Sequence, residues 1–300
     1  MRKIAGFAAA CAVLGAVGIA AVFVTRQSSP LSGDVANDPA LVQRGAYIAV
    51  AGDCAACHTR PGGNPFAGGL ALQVPMLGTI YSPNITPENQ TGTGRYTLAD
   101  FDRAVRFGVR KDGANLYPAM PYPSYAKMTD EDVRALYAYF KYGVPAVAQK
   151  REAGTIAWPL NIRWPLQIWD ALFLDTKPYQ EVAGHDDAWN RGAYLAQGLA
   201  HCGTCHTPRG LFMQETALDQ QGEHYLGGGG IIGGWQAFNI TSDTNSGIGG
   251  WSKDQLTQYL GTGNVPGLAQ AAGPMNEAVV HSFSKMTPED ISAIATYVKT

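Results

Sequence analysis

Two short motifs carry the residues with the most distinctive chemistry in this chain. Residues 54–58 read CAACH and residues 202–206 read CGTCH, so the spacing C-x-x-C-H occurs twice. This spacing is typical of covalent haem attachment. One helical turn places both sulfurs along one edge of a porphyrin, where they add to the vinyl groups, and the adjacent histidine binds the iron. The predicted attachment residues are Cys54, Cys57, Cys202 and Cys205, and the predicted iron ligands are His58 and His206.

Two methionines are the predicted sixth ligands of these irons. Met120 lies in Pro-Ala-Met-Pro and Met275 in Gly-Pro-Met, at an offset of 155 positions. Loops bounded by proline and glycine can direct a thioether at a metal, and His/Met ligation raises the reduction potential. The alternative is that both are core methionines that fill gaps. Met128 and Met286 also repeat, but each precedes a helix start, where an apolar residue usually packs as a staple.

The motifs lie within a longer internal repeat. The sequence RGAY occurs at 44–47 and 191–194, and Asn-Ile-Thr occurs at 84–86 and 239–241. Thr129 and Thr287 each precede acidic residues and an apolar run with helical spacing, which predicts an N-cap and a C-terminal helix in each repeat. The sequence therefore predicts a mainly α protein with two tandem haem domains and long loops.

The expected boundaries follow from changes in composition. Residues 1–26 form an apolar leader, 27–38 a polar tether, 39–141 the first domain, 142–182 a connector rich in Pro and Trp, and 183–300 the second domain. The connector is too apolar for a flexible tether. It is expected either to pack across the interface and fix one domain against the other, or to run as an extended arm over the first domain.

The leader predicts export from the cytoplasm. Arg2 and Lys3 precede an uncharged apolar run from Ile4 to Val24, which is long enough to span a bilayer. It is either a cleaved signal peptide or an uncleaved membrane anchor. Both alternatives place the body of the chain in the periplasm, and the anchor would tether it to the inner membrane. Covalent haem attachment agrees with an exported protein.

Two features of the haem surroundings are also expected. The second ring nitrogen of each iron-binding histidine should donate to a backbone carbonyl, and the loops near Pro61 and Pro208 are the candidates. Arg60 and Arg209 could pair with the haem propionates through forked hydrogen bonds, although an arginine at such a position is more often solvated.

Other function classes find little support in the sequence. The net charge is -2 with 15% charged residues, so no basic surface for nucleic acid is predicted. Neither a Ser-His-Asp arrangement nor a nucleotide-binding motif is present. With both axial positions filled, one-electron transfer is the expected chemistry. The alternative is a dihaem enzyme, such as a peroxidase or a thiosulfate dehydrogenase, with one open haem site. A haem-sensing module is a third interpretation.

Several longer segments resemble one known family. They are residues 116–122 (LYPAMPY), the KMTDED run at 127–132, RWPL at 163–166 and WNRGAY at 189–194. Together they resemble the cytochrome c subunit of membrane-bound alcohol, gluconate and related sugar or aldehyde dehydrogenases. The resemblance covers residues 38 to 300 and implies tandem class I-type cytochrome c domains.

This resemblance also implies partners. Such subunits lie in the periplasm, take electrons from a dehydrogenase subunit that carries a quinone cofactor, a flavin or molybdenum, and pass them to ubiquinone or a terminal oxidase. The catalytic site is then expected on the partner chain. Members of the family usually carry three haem units, whereas the second repeat here closes at Thr300. The chain is therefore expected to be a two-haem relative or a truncated form.

Overall fold

Helices dominate the computed structural model, which describes residues 28–74 and 77–300. The predicted leader at 1–26 lies outside the described residues. Within the described ranges, no helix is both long enough and apolar enough to cross a bilayer. The α-helices are α1 (Pro39–Ala51), α2 (Cys54–His58), α3 (Leu98–Phe107), α4 (Tyr122–Tyr125), α5 (Asp130–Ala138), α6 (Pro165–Phe173), α7 (Asp187–Tyr194), α8 (Cys202–His206), α9 (Lys253–Thr262), α10 (Gly273–His281) and α11 (Pro288–Val298).

Short irregular turns and hairpins complete the fold. Helix α5 continues as a π-helical turn, Tyr139–Gly143, and α7 continues as another, Leu195–Leu199. A 3-10 turn, Phe283–Lys285, precedes α11. Among the described residues the strands pair as antiparallel hairpins, which are β1 (Ala71–Val74) with β2 (Gly78–Tyr81), β3 (Ile231–Ile232) with β4 (Trp235–Gln236), and β5 (Asn264–Val265) with β6 (Ala269–Gln270). The mainly helical prediction is confirmed.

Side-chain caps define where the main helices begin. Thr129 accepts a hydrogen bond from the backbone of Asp132, and Thr287 accepts one from Asp290, as the sequence predicts. Helices α3 and α9 begin with reciprocal capping boxes, Thr97 with Asp100 and Ser252 with Gln255. Each cap satisfies backbone N–H groups that have no partner inside the helix.

The same helix pair occurs in both halves of the chain. Helix α1 packs on α5, and α7 packs on α11. At each crossing a glycine of the RGAY segment faces a backbone carbonyl of the partner helix. A Cβ on Gly45 would lie 1.9 Å from the Ala135 oxygen, and one on Gly192 would lie 2.0 Å from the Ala293 oxygen. Only glycine permits this helix separation.

Two tyrosines of the RGAY segments join the halves. The Tyr47 hydroxyl donates to Asp290 Oδ2 at 2.6 Å, and the Tyr194 hydroxyl donates to Asp132 Oδ2 at 2.5 Å. Each carboxylate also forms an ion pair with the arginine of its own half. Arg44 pairs with Asp132, and Arg191 pairs with Asp290. The two bridges are therefore reciprocal, and a continuous cluster of buried apolar residues extends from Leu31 to Val298 around them.

The chain between the two halves contacts both of them. The Asn84 side chain donates to the Val147 carbonyl, and Asp170 of α6 accepts the buried Tyr122 hydroxyl at 2.7 Å. The Trp169 indole donates to the carbonyl of Phe212 in the C-terminal half. Several apolar side chains of this segment remain exposed, namely Trp158, Leu160, Trp164 and Leu172.

Candidate functional site

Each C-x-x-C-H motif forms a single helical turn, α2 or α8. The residue before each turn has left-handed backbone geometry, with φ of 50° at Asp53 and 40° at His201. This conformation turns the chain sharply out of the preceding helical segment. Within each turn the two cysteines are three residues apart and therefore share a face. The sequence pattern did not indicate these left-handed residues, because Asp and His adopt that geometry only in particular contexts.

Both motif histidines are oriented by a backbone carbonyl. The distance from His58 Nδ1 to the Pro83 oxygen is 2.8 Å, and the distance from His206 Nδ1 to the Phe238 oxygen is also 2.8 Å. A carbonyl can only accept, so Nδ1 carries the proton and the lone pair of Nε2 is left for a metal.

The predicted position of these carbonyls was wrong. They lie far along the chain from the motifs, and the loops at Pro61 and Pro208 do not supply them. Both belong to the residue that precedes Asn-Ile-Thr. In that repeat Asn84 Oδ1 accepts the Thr86 N–H at 2.9 Å, and Asn239 Oδ1 accepts the Thr241 N–H at 2.8 Å. These Asx turns fix the backbone beside each histidine. The repeated Asn-Ile-Thr was the sequence signal that could have located them.

Burial shifts the pKa of the cysteines and histidines of both motifs toward their neutral forms. It raises the pKa of Cys54 to about 12 and that of Cys57 to about 11, and it raises the pKa of Cys202 to about 12. The thiols are therefore protonated at neutral pH. Burial also lowers the pKa of His58 and of His206, and the hydrogen bonds to the carbonyls oppose this only in part. Both imidazoles are neutral, which is the form that binds a metal.

The first motif opens onto a cavity of about 800 Å³. Cys54, Cys57, His58 and Met120 all line it, so the structure brings the four residues predicted from the sequence to one site. The volume falls within the range of about 300–1,000 Å³ typical of cofactor sites. Apolar side chains form much of the remaining wall, among them Phe101, Val105, Leu136 and Phe140. This set of donors and apolar walls fits a covalently attached haem.

Cationic side chains also line this cavity, although they are not the arginines that the sequence singled out. They are Arg95, Arg110, Lys111, Arg151 and Arg163. Arg60 is exposed and is not part of the lining, and Arg209 donates to the Thr204 carbonyl at 2.5 Å. The cationic residues around the cavity suit the carboxylates of a haem better than Arg60 does.

The second motif has the same local geometry with one difference at the methionine. Met275 was expected in a loop, but it lies in the first turn of α10 and packs partly buried against the core. Pro274 is the second residue of this helix, which is a favourable position because proline has no N–H to leave unpaired in the first turn. Met120, by contrast, precedes the short helix α4.

The two motifs lie close together. Ser124 Oγ of α4 is 3.4 Å from Thr204 Oγ1, which belongs to the second motif. The Cys205 thiol also contributes to the raised pKa of Cys57. Helix α10, which carries Met275, contacts α2. Each motif therefore faces an element of the other half.

Comparison with known proteins identifies related chains. A family model described as cytochrome c matches residues 42–143. The gluconate 2-dehydrogenase cytochrome c subunit of Pantoea cypripedii is 52% identical over 284 residues, which cover 94% of this chain and 64% of that subunit. The cytochrome c subunit of the quinone alcohol dehydrogenase of Gluconacetobacter polyoxogenes is 48% identical over 282 residues, which cover 93% of this chain and 60% of that subunit.

A shorter relative matches over nearly its whole length. A dihaem c-type cytochrome of Cereibacter sphaeroides is 34% identical over 297 residues, which cover 94% of this chain and 93% of that protein. The chain thus spans less than two thirds of the two dehydrogenase subunits but almost all of this relative. Such similarity implies covalently bound haem c. The chain belongs to the c-type cytochromes, among relatives that include the cytochrome c subunits of gluconate and alcohol dehydrogenases.

Proposed function

We propose that this chain is a dihaem electron-transfer subunit whose catalytic partner is a separate dehydrogenase chain. Its two haem c groups would be attached at Cys54 and Cys57 and at Cys202 and Cys205. The observation that carries this proposal is the first cavity, where both cysteines, the oriented histidine and Met120 converge. The equivalent carbonyl bond of His206 supports the same role for the second motif.

The residues of this chain would serve electron transfer by holding each haem rigidly. Haem supplies a one-electron couple when it is bound. The cysteines would attach each haem, the carbonyl-bound imidazole would hold the iron in a fixed orientation, and Met120 or Met275 would supply a thioether to it. The apolar walls would keep water away from the iron, and this would favour the less charged, reduced state. If His58 and Met120 held one iron and His206 and Met275 the other, neither iron would offer a site for a substrate.

The haem content of the purified protein tests how many haem sites the chain has. The pyridine haemochrome assay on the purified holoprotein should give two haems per chain. A variant with Cys202→Ala and Cys205→Ala should give one haem, and the matched variant with Cys54→Ala and Cys57→Ala should also give one. Any other ratio for the unmodified chain contradicts the proposal.

The partner is proposed to be a dehydrogenase that delivers electrons in the periplasm. Support comes from relatives that include the cytochrome c subunits of gluconate and alcohol dehydrogenases and the cytochrome subunit of a fructose dehydrogenase. Quinone or a terminal oxidase would accept the electrons, and the leader at 1–26 would export the chain and hold it at the inner membrane. Purification of the native complex should yield a large subunit that reduces this cytochrome when a sugar or an alcohol is added. If this chain oxidises such a substrate by itself, the catalytic site does not lie on a partner.

Protease protection tests the location. In spheroplasts, protease added outside should degrade the haem-containing band, and the membrane fraction should retain that band after a high-salt wash. A band that is cut only after lysis would contradict the periplasmic proposal.

A further inference from the structure

The cavity at the first motif is not built by the N-terminal half alone. Nearly all of its lining comes from residues between Ile48 and Arg163, but Leu199 and His201 also line it. These two residues belong to the C-terminal half and directly precede the second motif. Leu199 is buried and ends the π-helical turn after α7, and His201 is the left-handed residue before Cys202.

The imidazole of His201 is held against an aromatic side chain of the other half. Its ring centroid lies 5.8 Å from that of Tyr125, with the planes inclined by 39°. Tyr125 lines the same cavity, and its hydroxyl donates to the Gly52 carbonyl at 2.6 Å. Gly52 lies just before the first motif, so this bond ties the aromatic pair to the backbone next to the attachment site.

The position equivalent to His201 in the first motif is Asp53. The two residues share the left-handed geometry but differ in chemistry, so this contact is not a consequence of the repeat. A backbone φ of 40° costs free energy for any residue with a Cβ, and glycine would relieve that cost. Histidine adopts this geometry more readily than most residues with a Cβ, and here its ring contacts Tyr125.

We propose that His201 forms the wall between the two haem sites, closing the first haem pocket with an aromatic ring supplied by the second repeat. This inference rests on the proposed dihaem function. A ring at this place excludes water from the first haem, and water stabilises the more charged ferric form. His201 thereby raises the potential of the first haem. His201 lines the first haem site and directly precedes Cys202, which would attach the second haem. The lining of the first site and the attachment of the second are therefore adjacent in sequence.

Three substitutions at this residue separate the effects of its ring, its polarity and its backbone. His201→Gly removes the side chain and suits the left-handed backbone, so the fold is not strained by the change. His201→Asn tolerates the same geometry but has no ring. His201→Phe keeps a ring without polar atoms. His224 is exposed, and His224→Gly serves as the matched control.

Spectroelectrochemical titration of the holoproteins measures both midpoint potentials. The first haem is assigned in a Met275→His background, because bis-His ligation lowers the potential of the second haem relative to His/Met ligation. We expect the first haem's potential to fall in the Gly and Asn variants, to return toward the original value in the Phe variant, and to stay unchanged in the His224 control. The second haem should shift less in every variant.

An unchanged first potential in His201→Gly would overturn the inference, and so would recovery with Asn but not with Phe. The pyridine haemochrome assay on the same samples keeps the two proposals apart. A haem content other than two contradicts the dihaem function itself. Two haems with unaltered potentials contradict only the role of His201.

Discussion

At the scale of single residues, the site depends on which ring nitrogen of each motif histidine is free to bind a metal. The carbonyl bonds at Nδ1 determine the tautomer of His58 and His206, and burial keeps both rings neutral. The thioether of Met120 lines the same cavity as His58, and it would be the second protein ligand of the first iron. A sulfur ligand is therefore tested best by replacing it.

Replacing Met120 with Leu should alter only the first haem. Leucine conserves volume but cannot ligate iron, so the potential of that haem should fall and the long-wavelength band of thioether-ligated ferric haem should weaken by about half. Absorption spectra and potentiometry measure both effects. Met213 is 53% exposed, and Met213→Leu is the control that should change neither quantity. An unchanged spectrum in the Met120 variant would favour an open haem site.

At the scale of elements, three residues of the RGAY segment each have a separate structural role. Its glycine sets the separation of two helices, its arginine binds the acidic first turn of the C-terminal helix of its own half, and its tyrosine reaches the equivalent turn of the other half. The carboxylates at Asp132 and Asp290 accept both kinds of donor. The helix crossing and the contact between the halves therefore depend on the same few residues.

A methyl group at a helix crossing should be strongly destabilising. Gly45→Ala or Gly192→Ala places a Cβ within about 2 Å of a carbonyl oxygen, so the helices must separate at a cost of roughly 3 kcal/mol or more. Gly261 lies in α9 with open space around it, and Gly261→Ala should be neutral or stabilising by up to about 1 kcal/mol. Urea unfolding of the haem-loaded variants measures the difference. Equal losses at all three positions would contradict the crossing geometry.

The tyrosine bridges should contribute unequally to stability. Tyr194 is buried and donates to the buried carboxylate of Asp132, and burial together with this carboxylate raises the Tyr194 pKa, so the hydroxyl remains a donor. Tyr194→Phe should cost about 1.5–3 kcal/mol of unfolding free energy, as for a hydrogen bond to a charged group. Tyr47→Phe should cost less, because Tyr47 is only half-buried. The exposed Tyr142, which donates to the Val35 carbonyl, offers a control in Tyr142→Phe. A Tyr194 variant as stable as that control would show that the bridge contributes little.

At the scale of the whole molecule, the two halves share a buried cluster, and the C-terminal half contributes to the first site. Leu199 and His201 complete the first cavity, and α10 lies against α2. Charge also joins distant parts, since Asp290 of α11 holds both Arg191 and Tyr47. Protonation of such a group should therefore weaken more than one element at once.

Acid should weaken the native state through Asp290. Burial alone would raise its pKa, but hydrogen bonds from Arg191 and Tyr47 outweigh burial and hold the pKa below its usual value of 3.8. A lowered pKa means that the carboxylate stabilises the fold above about pH 4, and that this contribution is lost as pH falls through the lowered value. Urea unfolding at a series of pH values should show the decline, and Asp290→Asn should be less stable at pH 7 with a smaller acid loss. An identical acid loss in that variant would assign the effect to other groups.

The sequence by itself determined those features that depend on residues close together in the chain. Attachment motifs, helix caps and the repeated RGAY and Asn-Ile-Thr segments are local patterns, and their spacing predicted a mainly helical chain with two haem motifs. Tertiary structure alone decided which carbonyl holds each histidine, which carboxylate accepts Tyr47 or Tyr194, and that His201 lines the first cavity. These contacts join residues 25 to more than 200 positions apart. Their partners depend on how two half-molecules pack, and periodicity within one segment carries no information about that packing.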